Sequence, residues 1–182
     1  DFVPVAYEMR FENGKIDRVD LCKDKDKVYV KVLDYKTGSK AFDVVALYHG
    51  LQLQLMVYMD AAVKMTQKHY PDREVIPAGV FYYRLNDPLV EKKVVGEEEE
   101  IWQKVLKELK VDGVMNLKDE TLEHLDHCQT GESAVIPVKY NKNGSLSKNS
   151  KVASEQEFEV MMRHALGKVL KVHRKILSGE VA

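Results

Sequence analysis

The sequence predicts an α/β fold in which a mixed β-sheet is flanked by helices on both faces. Three observations predict it. Residues 3–36 read as successive strands separated by short turns, residues 44–67 as one long and mostly apolar helix, and residues 78–85 as a further strand followed by two more helices. Strands, a central helix, another strand and flanking helices, in that order, build a sheet that must be covered on two sides.

Each element has a local signature. Val3, Val5, Tyr7, Met9 and Phe11 alternate with other residues and meet Asn13-Gly14, a hairpin signal. A second strand spans 15–22, and the polar run 23–27 turns the chain. Val28, Val30 and Val32 then alternate into Asp34 and Lys36, completing a three-stranded antiparallel meander. If this second turn centres on Lys25-Asp26, Asp17 falls opposite Asp34 across the ladder, close enough to share one ion. After Thr37-Gly38-Ser39, the helix at 44–67 is apolar on most sides through Leu47, Leu51, Leu55, Met56, Met59 and Val63, as a buried helix is. Gln54 and Tyr58 lie four apart on it and share a face with Leu51 and Leu47.

The strand at 78–85 is closed by Asn86-Asp87-Pro88. Four acids at 97–100 lead into Ile101, Trp102, Val105 and Leu109, an amphipathic helix with its negative charge at the favourable N-terminal end. Residues 139–151 carry Lys139, Lys142, Lys148 and Lys151 and no acid, which predicts an exposed, mobile loop or a hairpin turning at Asn143-Gly144. Ser154-Glu155-Gln156-Glu157 has capping-box spacing. It opens a long helix with the stripe Phe158, Met161, Met162, Ala165, Leu166, Val169, Val172 and Ile176, which ends before Gly179.

Composition bounds the function. At 182 residues, with 45% hydrophobic and 31% charged residues, the chain is most simply a single domain spanning 1–182 with a sizeable core. A formal net charge of −1 gives no global basic field, so any nucleic-acid surface must be local. The two cysteines, Cys22 and Cys128, are far apart and show no C-x-x-C, which disfavours a disulfide framework or a zinc site and fits a reducing cytoplasm. No apolar run approaches the roughly 20 residues of a membrane span. The chain starts on strand-like sequence without a methionine, as expected of a piece of a larger protein.

The chemistry concentrates in two stretches, Gly14-Lys15-Ile16-Asp17-Arg18-Val19-Asp20 and Val32-Leu33-Asp34-Tyr35-Lys36. Asp34 and Lys36 flank one strand residue and so project from the same side. Asp17 and Asp34 offer hard oxygens of the kind Mg²⁺ prefers, and the backbone carbonyl of Tyr35 is a natural further ligand. Lys36 beside such an ion can orient an attacking water or stabilise a pentacovalent transition state. Gln54 and Tyr58 can fix a phosphate or the scissile nucleotide, or else serve as satisfied polar and core positions of the helix. Arg18 and Asp20 read as a local ion pair, His124 and His127 as a solvated helix face, Cys22 as a core filler, and the lysines of 139–151 as solvated surface or phosphate contacts.

In combination, G-x-I-D-R-V-D, a strand ending L-D-Y-K, and Q-x-x-x-Y on a helix resemble the RecB-like branch of the PD-(D/E)XK nucleases. Within that branch, "VLDYKTGSKAFDVVALYHGLQLQLMVYM", "GVFYYRLNDPLV" and "VIPVKYNKNGSLSKNSKVASEQEF" are similar to the nuclease domains of AddB-type subunits of bacterial helicase/deoxyribonucleases. The resemblance covers nearly the whole chain. It implies a restriction-endonuclease-like core and cleavage of single-stranded DNA dependent on Mg²⁺, for which Mn²⁺ can substitute. It also implies an AddA-like helicase-nuclease subunit as partner and a setting in double-strand-break repair and recombination. Position by position, it matches Asp17 and Asp34 to the metal-binding acids, Lys36 to the catalytic lysine, and Gln54 and Tyr58 to the Q-x-x-x-Y motif.

Two features of that family have no counterpart here. One is an upstream helix with a histidine or acid near the metal. The other is a 4Fe-4S cluster held by one upstream cysteine and three beyond the final helix. Cys22 and Cys128 do not match those ligands, so no cluster is expected in this segment. Two alternatives to an active AddB-type domain are a catalytically inactive DNA-binding or scaffolding module with the nuclease fold and a stand-alone RecB-like exonuclease of phage or defence origin. Intact Asp17, Asp34 and Lys36 weigh against the first.

Overall fold

The computed structural model describes residues 2–4, 10–11, 14–38, 41–85, 102, 105–106, 109–118, 120–128 and 130–180. The alternating opening does build strands. β1 (Val3–Pro4), β2 (Arg10–Phe11), β3 (Gly14–Lys15), β4 (Arg18–Asp24) and β5 (Lys27–Lys36) precede helices α1 (Val44–His49) and α2 (Gln54–His69). Then follow β6 (Glu74–Arg84), β7 (Asp112–Asn116), α3 (Thr121–Leu125), β8 (Val152–Ala153) and α4 (Glu155–Leu177). Among the described residues, the main sheet has six strands in the order β1-β4-β5-β6-β7-β8, and β2 and β3 form a separate two-stranded pair. β5–β6 and β7–β8 are parallel, while β1–β4, β4–β5 and β6–β7 are antiparallel, so the sheet is mixed as predicted.

The predicted meander is present in a modified form. Asp24 pairs with Lys27, so the tight turn between β4 and β5 is Lys25-Asp26, with Lys25 at a positive φ of 49°. In the first hairpin, Gly14 is paired opposite Phe11 rather than lying in the turn.

The predicted continuous helix at 44–67 is instead two. Gly50 adopts φ 86° and its N–H returns to Ala46 and Leu47 carbonyls, a left-handed C-cap that ends α1. Gln52 holds the break from outside: its amide donates to the Ala41 carbonyl and its oxygen accepts from the Asp43 N–H. Leu51, expected in the core, is therefore 75% exposed.

β6 starts four residues earlier than the predicted 78–85, because Pro77 interrupts its strand signature without breaking the strand. The β5–β6 register slips between Val30 and Lys31, leaving Ala78 without a ladder partner next to the proline that has no N–H to donate. β7 and β8 carry no counterpart in the sequence reading. β7 lies so close to β6 that a Cβ on Gly113 would sit 1.9 Å from the Val80 carbonyl oxygen. Only glycine fits there.

Alternation sorts the strands onto two faces. Val19, Leu21, Val28, Val30, Val32, Val80 and Tyr82 meet Leu55, Met56, Met59 and Ala62 of α2, and Phe158 and Ala165 of α4 close the same cluster. Each fully buried Leu or Met there contributes about 1.5–3 kcal/mol. On the opposite face, Leu33, Phe81 and Met115 pack under Ile136 and Val138 of the 130–151 segment and beside Leu122 and Leu125 of α3. The predicted capping box is formed: Ser154 and Glu157 satisfy each other's backbone N–H at the start of α4.

The predicted hairpin also exists, with Tyr140 bridging Leu146 and Gly144 at φ 78° in the turn. It is bound by hydrogen bonds from Asn141 to Ser145 and between Ser150 and Lys139, so it is a structured hairpin rather than a bare loop. The strand-closing residues 86–88 and the acids 97–100 lie outside the described residues, while Trp102, Val105 and Leu106 are helical. Among the described residues no helix is long and apolar enough to cross a membrane.

Candidate active site

The site assembles where β4 begins and β5 ends. The pairing of Arg18 with Leu33 continues one step outward to place Asp17 opposite Asp34. The Asp17 carboxylate accepts a hydrogen bond of 3.0 Å from the Tyr35 N–H, which fixes it over the neighbouring strand. Asp17 is exposed, whereas Asp34 is only 2% exposed. Strand parity does what the sequence predicted: the Lys36 ammonium is ion-paired with Asp34.

α2 supplies the rest. Lys36 Nζ donates to Gln54 Oε1 at 3.0 Å, and Gln54 Nε2 donates to the Tyr58 hydroxyl at 2.8 Å. Because an ammonium can only donate, Lys36 fixes which end of the Gln54 amide faces it, and the other end must donate to Tyr58. One turn of helix therefore presents a relay that holds the lysine head in place. The five predicted side chains Asp17, Asp34, Lys36, Gln54 and Tyr58 are thus brought to one place, with the Tyr35 backbone between the two strand positions.

The electrostatics are unbalanced. Burial pushes the Asp34 carboxyl above the ordinary carboxylate range; Lys36 pulls it back, and the charge of Asp17 pushes it up further. Although Lys36 lies against Asp34 Oδ2, no donor among the described residues meets that buried oxygen with hydrogen-bond geometry. A buried carboxylate oxygen short of donors, beside a second carboxylate, is what a hard divalent cation completes, so the donor set fits Mg²⁺. Among the described residues no group of three or more His, Cys, Asp or Glu side chains is arranged to hold a metal ion, and at this site the candidate donors are the two carboxylates and the Tyr35 carbonyl.

Three neighbours escaped the sequence reading. Tyr82 stands opposite Asp34 in the parallel ladder and lies 5.6 Å below the Lys36 ammonium. Its phenol is pushed up to about 12, first by burial and then by Asp34 and Asp112. Asp112 pairs with Tyr82 on the next strand and accepts from the Phe42 N–H at 2.6 Å. Arg84 stands opposite Lys36. The signal was the period of two from Val80 to Tyr82 to Arg84, but only the parallel register says what they face.

The other titratable groups fall elsewhere. Arg18 and Asp20 do form the expected ion pair, on the opposite sheet face. His124 is not on a solvated face: its ring packs 4.5 Å from Tyr29, with Asp24 at 3.6 Å. Cys22 is buried beside Tyr29, Ile76 and Ala78, and the Cys128 thiol donates to the Thr130 carbonyl.

The chain is also similar to known proteins. Residues 1–140 match the sequence profile of the PD-(D/E)XK nuclease superfamily. The chain is 39% identical to an ATP-dependent helicase/deoxyribonuclease subunit from Lachnoclostridium phytofermentans, an alignment covering 99% of this chain and 17% of that protein. It is 37% identical to the protein of the same description from Clostridium novyi, over 92% of this chain and 15% of that one. The corresponding figure for Alkaliphilus oremlandii is 35%, over 100% and 16%. The chain thus spans less than a fifth of the length of each of these relatives.

Proposed function

The chain belongs to the PD-(D/E)XK nuclease superfamily, and from that premise we propose that it is the metal-dependent deoxyribonuclease domain of an AddB-type helicase-nuclease subunit. Its substrate is single-stranded DNA delivered by an AddA-like partner during double-strand-break repair and recombination. The observation that carries the reading is the buried Asp34 carboxylate set beside a second carboxylate, Asp17, with the Lys36 ammonium ion-paired to it.

Asp17, Asp34 and the Tyr35 carbonyl are the residues that hold Mg²⁺ or Mn²⁺. When bound, the ion supplies a water of lowered pKa and neutralises charge on the phosphate oxygens. Lys36, steadied by Asp34 and Gln54, places a positive charge where negative charge grows on the phosphoryl oxygens, and it needs no reorganisation as the bond breaks. Gln54 and Tyr58 are positioning residues: they keep the ammonium from swinging into solvent. The elements that carry these groups are rigid, because Asp34 lies in the middle strands of the sheet and α2 is packed on its core face.

The test is cleavage of end-labelled single-stranded DNA with Mg²⁺ or Mn²⁺ by this chain and by its Lys36→Ala variant. Metal-dependent cutting that disappears in the variant supports the proposal. Equal cutting by both proteins overturns it.

A further inference from the structure

One strand away from Lys36 a groove of about 560 Å³ opens, within the roughly 300–1,000 Å³ range of ligand sites. Among the described residues it is lined by Arg84, Lys110, Lys139 and Lys151, with Asn149 and two carboxylates, Asp112 and Glu132. Those carboxylates are engaged: Asp112 pairs with Lys151, and Glu132 with Lys110 at 3.2 Å. Among the described residues, Arg84 and Lys139 have no carboxylate partner. The groove therefore keeps two uncompensated cations on a chain whose net charge is −1.

Its place in the fold gives these cations a purpose. Arg84 is the ladder partner of Lys36, and Asp112 is the ladder partner of Tyr82, which itself pairs with Asp34. At about 4.8 Å per strand, the groove wall begins one strand from β5, at Arg84, and reaches the second, at Asp112. The hairpin at 139–151 contributes selectively. Lys139 and Lys151 line the groove, while Lys142 and Lys148, at the exposed turns, are not part of its wall. The sequence could not make that division, because Arg84 and Lys110 come from outside the hairpin.

We propose that this groove binds the phosphodiester backbone of the DNA strand next to the scissile position, with Arg84 and Lys139 as the principal phosphate contacts. The inference rests on the nuclease reading for its ligand. Backbone contacts of this kind release counterions, so each should add about 0.7 to the salt dependence of binding to a single strand.

The experiment measures affinity of the chain for a labelled oligothymidylate across a salt series, with metal chelated so that no cleavage intervenes. An Arg84→Gln/Lys139→Gln double variant should lower the logarithmic salt slope by about 0.7 per contact removed. A Lys142→Gln/Lys148→Gln double variant, of equal charge change, should leave the slope near that of the parent. Arg84→Lys/Lys139→Arg, which keeps both charges, should restore it and excludes misfolding as the cause. An unchanged slope in the groove variant, or an equal fall in the hairpin-turn variant, overturns the inference. Because binding is read without metal, a failure of the Lys36→Ala cleavage test leaves this outcome unaffected, so the two readings fail separately.

Discussion

Two carboxylates are buried among the described residues, Asp20 and Asp34, and they sit on opposite faces of the same β4–β5 hairpin. Asp20 is fully satisfied. Its Oδ1 accepts from Arg18 Nε at 2.7 Å, and its Oδ2 from Arg18 Nη2 at 3.2 Å and Lys31 Nζ at 2.8 Å. That embrace holds Arg18 well above its ordinary pKa, chiefly through the hydrogen bond to Asp20. Asp34 has the reverse arithmetic: two carboxylates, Asp17 and Asp34, stand opposite each other while one cation, Lys36, pairs with Asp34, and burial raises the Asp34 pKa. The same residue type, on the same two strands, is closed on one face and open on the other. A buried acid that is outnumbered by cations is structure, whereas one that outnumbers them is suited to a metal.

Interchanging the two roles is the strongest way to break this comparison. Asp34→Asn should cut the rate of metal-dependent cleavage by at least about 10²-fold, in the range seen when one preorganised electrostatic group is lost. Asp20→Asn should leave the rate of the folded protein within a few-fold of the parent; initial rates on end-labelled single strands measure both. For stability the order reverses. Asp20→Ala removes the shared partner of the part-exposed Arg18 and Lys31 and should cost about 1.5–3 kcal/mol in urea unfolding, as lost hydrogen bonds to a charged group do; a loss below about 1 kcal/mol would make the triad ornamental.

Metal sharpens the contrast further. Mg²⁺ at a hundred times its Kd should stabilise the parent by about 2.7 kcal/mol, seen as a rise in Tm that Asp34→Asn abolishes and Asp20→Asn keeps. A smaller effect belongs to the positioning relay: Gln54→Ala should slow cleavage by about tenfold, equivalent to about 1.4 kcal/mol, without changing the metal-induced rise in Tm. Loss of that rise would make Gln54 part of the metal site rather than a holder of Lys36.

The smallest expected effect is the pH dependence of the metal-free chain. Asp34 has a folded pKa raised above its unfolded value near about 3.9. The folded state therefore binds its proton more tightly, so this group's contribution is fully present below the unfolded pKa and is lost as pH rises through the raised one. The difference in Tm between parent and Asp34→Asn should shift against the parent across that window. A difference that stays flat with pH would show that Lys36 already compensates the buried charge.

How much of this was legible depends on how local the cause is. The β4–β5 turn at Lys25-Asp26, and with it the Asp17–Asp34 juxtaposition, follows from polar turn residues between alternating strands, and the shared side of Asp34 and Lys36 follows from the pleat alone. Ser154 and Glu157 announced their capping box because all its partners lie within one turn. The break at Gly50 was hidden because apolar residues continue through it, and what secures it is Gln52 reaching back to residues 41 and 43.

β7 and β8 were missed because they are short and exist only through pairing with distant strands. For the same reason Tyr82, Asp112 and Arg84 could not be placed beside Asp34 and Lys36. Tyr82 and Arg84 are fixed by a parallel ladder closed across α1 and α2, and Asp112 by the antiparallel β6–β7 ladder, neither of which a local pattern encodes. Of the five residues of the candidate site, Asp34 and Lys36 lie on a strand, Asp17 one residue before another, and Gln54 and Tyr58 on a helix, all in readable phase; the groove beside them joins a predicted strand and hairpin to residues 110–112 at the start of β7, which was not readable.

The most direct test of the central claim is Mn²⁺ binding, titrated by electron paramagnetic resonance for the parent, Asp34→Asn and Asp20→Asn. The account predicts that the parent and Asp20→Asn bind the ion and that Asp34→Asn does not. Binding of equal strength by Asp34→Asn would contradict it, because the open carboxylate would then not be the seat of the metal.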